Sequence, residues 1–121
     1  MKHSKIIYEY NKIPLEKRKE EYELIMLKHP HKIPIVTQKS PNSKLCDLAK
    51  SKFLIPQNRT ISFFMIELRT KLNLKSEQSL FVFINENTTL PMNATLKELH
   101  DKYKDDDGFL KIIYCEENTF G

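Results

Sequence analysis

Glycine is scarce in this chain of 121 residues: only Gly108 and Gly121 occur. Two glycines cannot form the backbone cradle that holds nucleotide phosphates, and neither a P-loop nor a G-x-G-x-x-G run is present. Tryptophan is absent. The two cysteines, Cys46 and Cys115, have neither C-x-x-C nor zinc spacing. They read as reduced core thiols of a cytosolic protein rather than a disulfide framework. No apolar run approaches the roughly 18 residues that a bilayer span requires. Ile6-Ile7-Tyr8, behind Met1-Lys2-His3-Ser4-Lys5, is too short for a secretory signal.

Catalytic and metal constellations are missing as well. His29 and His31 lie two apart while His3 and His100 are scattered, so no zinc set forms and a structural or surface role is expected for each. Asp105-Asp106-Asp107 lacks the remaining positions of a calcium loop and reads as a solvated turn. Neither cysteine has a neighbouring histidine to lower its pKa. There is no G-x-S-x-G and no separable acid–base pair of carboxylates. The expectation is a protein that is not an enzyme and needs no cofactor or metal.

What the chain does contain is apolar bulk and a skewed charge. Hydrophobic residues make up 40%, with seven Phe and five Tyr, which favours one folded domain over disorder. The net charge is +4. Residues 1–75 hold 16 Lys and Arg against 7 Asp and Glu, whereas residues 76–121 hold 4 against 9. A basic front half suits acidic partners: an acidic peptide, an anionic membrane, tubulin tails or nucleic acid.

Periodicity divides the chain into elements. Pro14 can open a helix whose apolar positions are Leu15, Tyr22, Ile25 and Met26 and which Pro30 ends. Ile33 to Thr37 reads as a strand, where Pro34 implies an edge or a site that needs no N–H. Ser40-Pro41-Asn42-Ser43 is a turn, and Lys52 to Ile55 is a second strand that Pro56 stops. Thr60 can cap a helix with the stripe Ile61, Phe64, Leu68 and Leu72. Leu80 to Ile84 is a strand, and 85–89 is a turn. Thr95 and Glu98 form a capping box for a helix to about Lys104, and Phe109 to Cys115 is the last strand.

The order is α, β, β, α, β, α, β and a polar tail. Its β-β-α-β-α-β part is that of an α+β, ubiquitin-like β-grasp, a four-stranded mixed sheet packed on helices. Residues 1–30 form an N-terminal helical extension and 116–121 a flexible C-terminal tail. That tail ends on Gly121, which has no side chain beside its carboxylate. Such an end can thread a narrow enzyme channel and be activated as an adenylate and then a thioester. An incidental chain boundary is the competing reading. Lys50 and Lys52 to Pro56 combine charge with apolar bulk; at a sheet edge this strand can pair with an extended peptide.

Several segments resemble the GABARAP-like autophagy modifiers: Glu16 to Lys19, Lys28 to Val36, Asp47-Leu48, Lys50 to Pro56, Leu80 to Asn85, and Tyr114 to Gly121. The likeness runs from about Tyr10 to the end. It implies a ubiquitin fold with two extra N-terminal helices. It also implies that activating and conjugating enzymes join Gly121 to phosphatidylethanolamine, that the chain is cytoplasmic, and that after lipidation it sits on autophagosome membranes. There it would recruit receptors carrying an aromatic-x-x-aliphatic motif, often behind acidic residues. By position, the socket for the aromatic residue involves Glu21, Ile25, Pro34, Lys52, Leu54 and Phe109. The aliphatic socket involves Phe53, Ile55, Pro56 and Phe64 with Arg69 nearby, and Lys50 and Lys52 attract the acidic flank. The resemblance allows contact with microtubules and implies no nucleic acid.

Three features depart from the family. Arg59 and Glu67 stand where aliphatic residues are usual; they either pair with each other or polarise the second socket, altering motif preference. Asn87 to Thr89 carries a one-residue insertion. Nothing follows Gly121, so if this is the native end, conjugation needs no prior trimming by the family's cysteine protease, which can still act in delipidation. Two rival readings are a ubiquitin-fold adaptor that is never conjugated, and a small basic nucleic-acid-binding domain using Lys2, Lys5, Lys12, Tyr8 and Tyr10.

Overall fold

The computed structural model describes residues 8–85 and 90–117. A four-residue 3-10 turn, Glu9–Lys12, precedes helix α1, Leu15–Lys28. Strands β1, Lys32–Lys39, and β2, Lys52–Pro56, follow, then helix α2, Ile61–Lys71. Strand β3, Phe81–Phe83, helix α3, Leu96–Tyr103, and strand β4, Leu110–Cys115, complete the order. The sheet runs β2-β1-β4-β3, with β1 parallel to β4 and the two outer pairings antiparallel. This is the expected mixed sheet with the last strand beside the first. Among the described residues the expected N-terminal helices are a 3-10 helix of four residues and one α-helix.

Local chemistry explains most boundaries. The Thr60 hydroxyl accepts a hydrogen bond from the Phe63 N–H at 3.2 Å and caps α2. Thr95 and Glu98 close both halves of the capping box, at 2.8 and 3.1 Å. Ile61, Phe64, Leu68 and Leu72, spaced at one helical face, are all buried. They pack on Ile33, Ile35, Ile55, Leu110, Ile112 and Tyr114, the alternate residues of three strands. The other face of the sheet carries Val36 and Phe109 against Tyr10, Tyr22 and Ile25. Helix α1 is held loosely: it buries no residue fully, and Leu15, expected on its apolar face, is exposed.

Pro34 lies on an inner strand, so its edge reading is corrected. The Thr37 N–H donates to the Ser51 carbonyl and the Gln57 N–H donates to the His31 carbonyl. Odd-numbered residues of β1 therefore bond to β2, and Pro34 faces the other way. The ladder with β4 opens only at Ile35 and Leu110. The missing proline N–H thus falls one step before it is needed.

The acidic loop is also corrected. It is not a solvated turn: Asp107 is 1% exposed. Its carboxylate meets the Arg18 guanidinium at 2.7 Å and the Lys111 ammonium at 3.0 Å. Lys111, itself buried in β4, also reaches Asp105 at 2.7 Å and the Asn11 side chain at 2.9 Å. Burial raises the Asp105 carboxyl, but the Lys111 bond and the Asp106 N–H outweigh it and hold it below its ordinary value. Cys46 is exposed and only Cys115 is a core thiol. The insertion at Asn87 to Thr89 lies outside the described residues.

Candidate peptide-binding site

Strand β2 is an edge of the sheet. Because Phe53 and Ile55 pair in register with Ile35 and Ile33, the backbone groups of Lys52 and Leu54 point outward. Pro56 adds only a carbonyl there. An extended peptide can therefore add as a strand along Lys52 to Pro56. Side chains alternate, so Phe53 and Ile55 turn to the α2 side and Lys52 and Leu54 to the α1 side.

On the α1 side the six residues expected to form the aromatic socket meet in pairs. Pro34 stands directly across from Leu54. Ile25 packs on the cluster that contains the fully buried Phe109. The Lys52 ammonium is paired with the Glu21 carboxylate. Burial pushes the Glu21 carboxyl up, but bonds from Lys52 and Tyr10 outweigh that and leave its pKa below the ordinary value.

Tyr10 is the residue that sequence reasoning missed. Its hydroxyl donates to the free oxygen of Glu21. Its ring meets Phe109 edge-on at 5.1 Å and lies 4.6 Å beneath the Lys52 ammonium. It is 8% exposed. Burial, followed by the bond to Glu21, raises its pKa well above the ordinary tyrosine value. The run 1–12 has no period, so nothing local announced that this tyrosine turns inward.

On the α2 side the picture is narrower. Phe64 is fully buried and Ile55 nearly so; Phe64 can serve only as a floor, with Phe53 edge-on to it at 5.3 Å. Phe53 and Pro56 are half-buried and line the accessible part. Arg69 is engaged elsewhere, donating to the Lys75 carbonyl at 2.7 Å beyond the end of α2. No ion pair joins Arg59 to Glu67 among the described residues. Arg59 instead lies over the Phe63 ring at 4.7 Å. Lys50 is exposed just ahead of β2.

Gly121 lies outside the described residues, as do His3, Lys2 and Lys5. At the exit of β4, Glu116 accepts from the Ser43 hydroxyl at 2.6 Å and the Lys44 N–H at 2.8 Å. These two bonds pull its carboxyl pKa down to about 2. No group of three or more His, Cys, Asp or Glu among the described residues could hold a metal. No described helix is long and apolar enough to cross a membrane.

The fold and this edge define a ubiquitin-like β-grasp protein with an N-terminal helical extension. The comparisons make that class specific. Residues 17–121 match the family model described as "Autophagy protein Atg8 ubiquitin like". Autophagy-related protein 8 of Dictyostelium discoideum is 39% identical over 112 residues, covering 92% of this chain and 91% of that one. Autophagy-related protein 8b of Arabidopsis thaliana is 38% identical over 108 residues, 89% of this chain and 88% of that one. The crystal structure of Trypanosoma brucei ATG8 superposes with a TM-score of 0.88 at 35% identity, covering 96% of this chain and all of the other. The chain belongs to the Atg8 family of ubiquitin-like autophagy proteins.

Proposed function

We propose that this chain is a conjugated autophagy modifier. Its Gly121 carboxylate reacts with ATP to give an adenylate and pyrophosphate. Cysteine thiols of an activating and then a conjugating enzyme carry the glycyl group as a thioester. The amine of phosphatidylethanolamine displaces the last thiol and forms an amide. The modifier moves in this way from the cytoplasm to autophagosome membranes, and a delipidating cysteine protease releases it. On the membrane, the β2 edge takes the aromatic-x-x-aliphatic motif of receptors as an added strand. Lys50 and Lys52 draw in the acidic flank, each contributing roughly 0.2–1 kcal/mol. The buried anchors supply most of the affinity.

The observation that carries the reading is the free edge of β2, with Lys52 and Leu54 presenting their backbone outward between two flanking apolar surfaces. Incubation with cognate conjugation enzymes, ATP and phosphatidylethanolamine liposomes tests the first half. A lipid-bound product that disappears in Gly121→Ala is expected. With active enzymes and no product, the chain is instead an unconjugated adaptor. Titration with motif peptides tests the second half, and Lys52→Glu is expected to weaken peptides with acidic flanks most.

A further inference from the structure

We infer that Tyr10 is an internal occupant of the aromatic socket, and that a receptor motif gains entry by displacing it. The inference rests on the reading of the β2 edge as the receptor site. Three of the six residues assigned to that socket touch Tyr10 directly: Glu21 through its hydroxyl, Phe109 through the ring edge and Lys52 over the ring face. Ile25 packs on the same cluster. The chain thus places an aromatic side chain of its own where an incoming one would bury itself.

The contact is built so that it can be undone. Tyr10 sits in a 3-10 turn of four residues that has no side-chain cap. Short turns of this kind lie at the low-stability end of a fold. The turn is tied down at Glu9, whose N–H donates to Gln38, and at Asn11, which accepts from Lys111. When the turn lifts, Lys111 keeps Asp105 and Asp107, and Glu21 keeps Lys52. No buried charge is orphaned, so the cost described for broken buried pairs is avoided. A cleft of about 130 Å³ borders Tyr10 and gives the ring room to leave its seat. Its lining includes Thr37, whose buried hydroxyl has no hydrogen-bond partner among the described residues.

The consequence is a threshold on affinity. A site that is open only part of the time binds with its intrinsic constant divided by the open fraction. If the ring is seated nine-tenths of the time, removal of the occupant tightens binding about tenfold. An alternative role, in which Tyr10 is a wall of the socket, gives the opposite sign.

The test is calorimetric titration of the full chain with a synthetic peptide carrying an acidic flank and a Trp-x-x-Leu core. Tyr10→Ala is expected to bind about tenfold more tightly than the unmodified chain. Tyr10→Phe, which lacks the bond to Glu21 but keeps the ring, is expected to fall between them. Selective 13C labelling of tyrosine rings reads the same event without a substitution: on saturation the Tyr10 resonances lose the ring-current shift from Phe109. This second readout decides the matter if Tyr10→Ala fails to fold. Unchanged or weaker binding by a folded Tyr10→Ala, or a Tyr10 ring that keeps its shift in the complex, overturns the occupant role while leaving the peptide site standing. Absence of binding by both the unmodified chain and folded Tyr10→Ala overturns the occupant role and the receptor reading together.

Discussion

Arg18 and Asp107 are 89 positions apart in the chain and 2.7 Å apart in the fold. Their pair bolts α1 to the loop before β4, under a helix that buries no residue fully. Apolar packing alone holds α1 weakly, so its placement beside the β2 edge depends on charge.

Asp107 has two cationic partners; Lys111 also reaches the Asp105 carboxylate, whereas Arg18 has no second carboxylate among the described residues. Asp107→Asn leaves Arg18 desolvated beside a neutral amide and Lys111 with Asp105 as its one remaining carboxylate, and a loss of about 3–5 kcal/mol is expected. Arg18→Ala leaves Asp107 with Lys111 and should cost less, about 1.5–3 kcal/mol. Urea unfolding of both variants checks the order. Equal losses would show that Lys111 does not share the carboxylate as the 3.0 Å contact indicates.

Gly108 precedes β4 at φ +100, where an L side chain is strained. A β-carbon there would lie 2.5 Å from the Tyr22 ring. Gly108→Ala therefore suffers two separate penalties, steric and conformational. Strain of this kind costs on the order of 1–3 kcal/mol. Combining Gly108→Ala with Tyr22→Ala relieves only the steric part. A double-mutant cycle should show favourable coupling; strict additivity of the two losses would contradict the contact.

His100 links stability to pH. Its Nε2 lies 2.7 Å from the Gly108 carbonyl, and its ring stacks on Tyr22 with centroids 6.0 Å apart. Burial pushes its pKa below the ordinary value; the Gly108 bond pulls it back without overcoming burial, while Lys104 and Asp101 act in opposite senses. The unfolded chain takes up a proton near pH 6.5, and the folded one resists it until lower pH. Between those points the unfolded state binds more protons, so stability falls as pH drops and is fully present above about 6.5. Unfolding midpoints at pH 7.5 and 5.5 should differ less in His100→Gln than in the unmodified chain. Parallel pH profiles would assign the effect to another group.

The elements legible in the sequence were those whose physics is local. The stripe Ile61, Phe64, Leu68, Leu72 repeats at helical spacing, and the Thr95–Glu98 box spans three residues. Each needs no distant partner to be recognised. Asp107 and Tyr10 were illegible for the converse reason. A charge run reads as solvated until Arg18 and Lys111 are brought to it by the tertiary fold, and an aromatic in a segment without period gives no hint of inward orientation. Pro34 falls between the two cases. Its missing N–H limited the choices to two, and only the register of β1 against β2 and β4 selects between them.

Arg59 and Glu67 give the last expectation. Glu67 follows Phe63 and Phe64 by one helical turn, so its carboxylate shares the α2 surface that borders Phe53. Arg59 is occupied over Phe63 and forms no ion pair with Glu67. Glu67, a half-buried residue, then meets any aliphatic side chain entering beside Phe53 without an ion pair from Arg59 to offset its desolvation. Glu67→Leu is expected to raise affinity for motifs ending in Leu or Ile by about fivefold, or ~1 kcal/mol. The gain for motifs with a polar or basic residue at that position should be smaller, which reorders the panel rather than shifting it. Titrating the two peptide sets against both proteins decides the point: a uniform shift across the sets would mean that Glu67 sets strength and not preference.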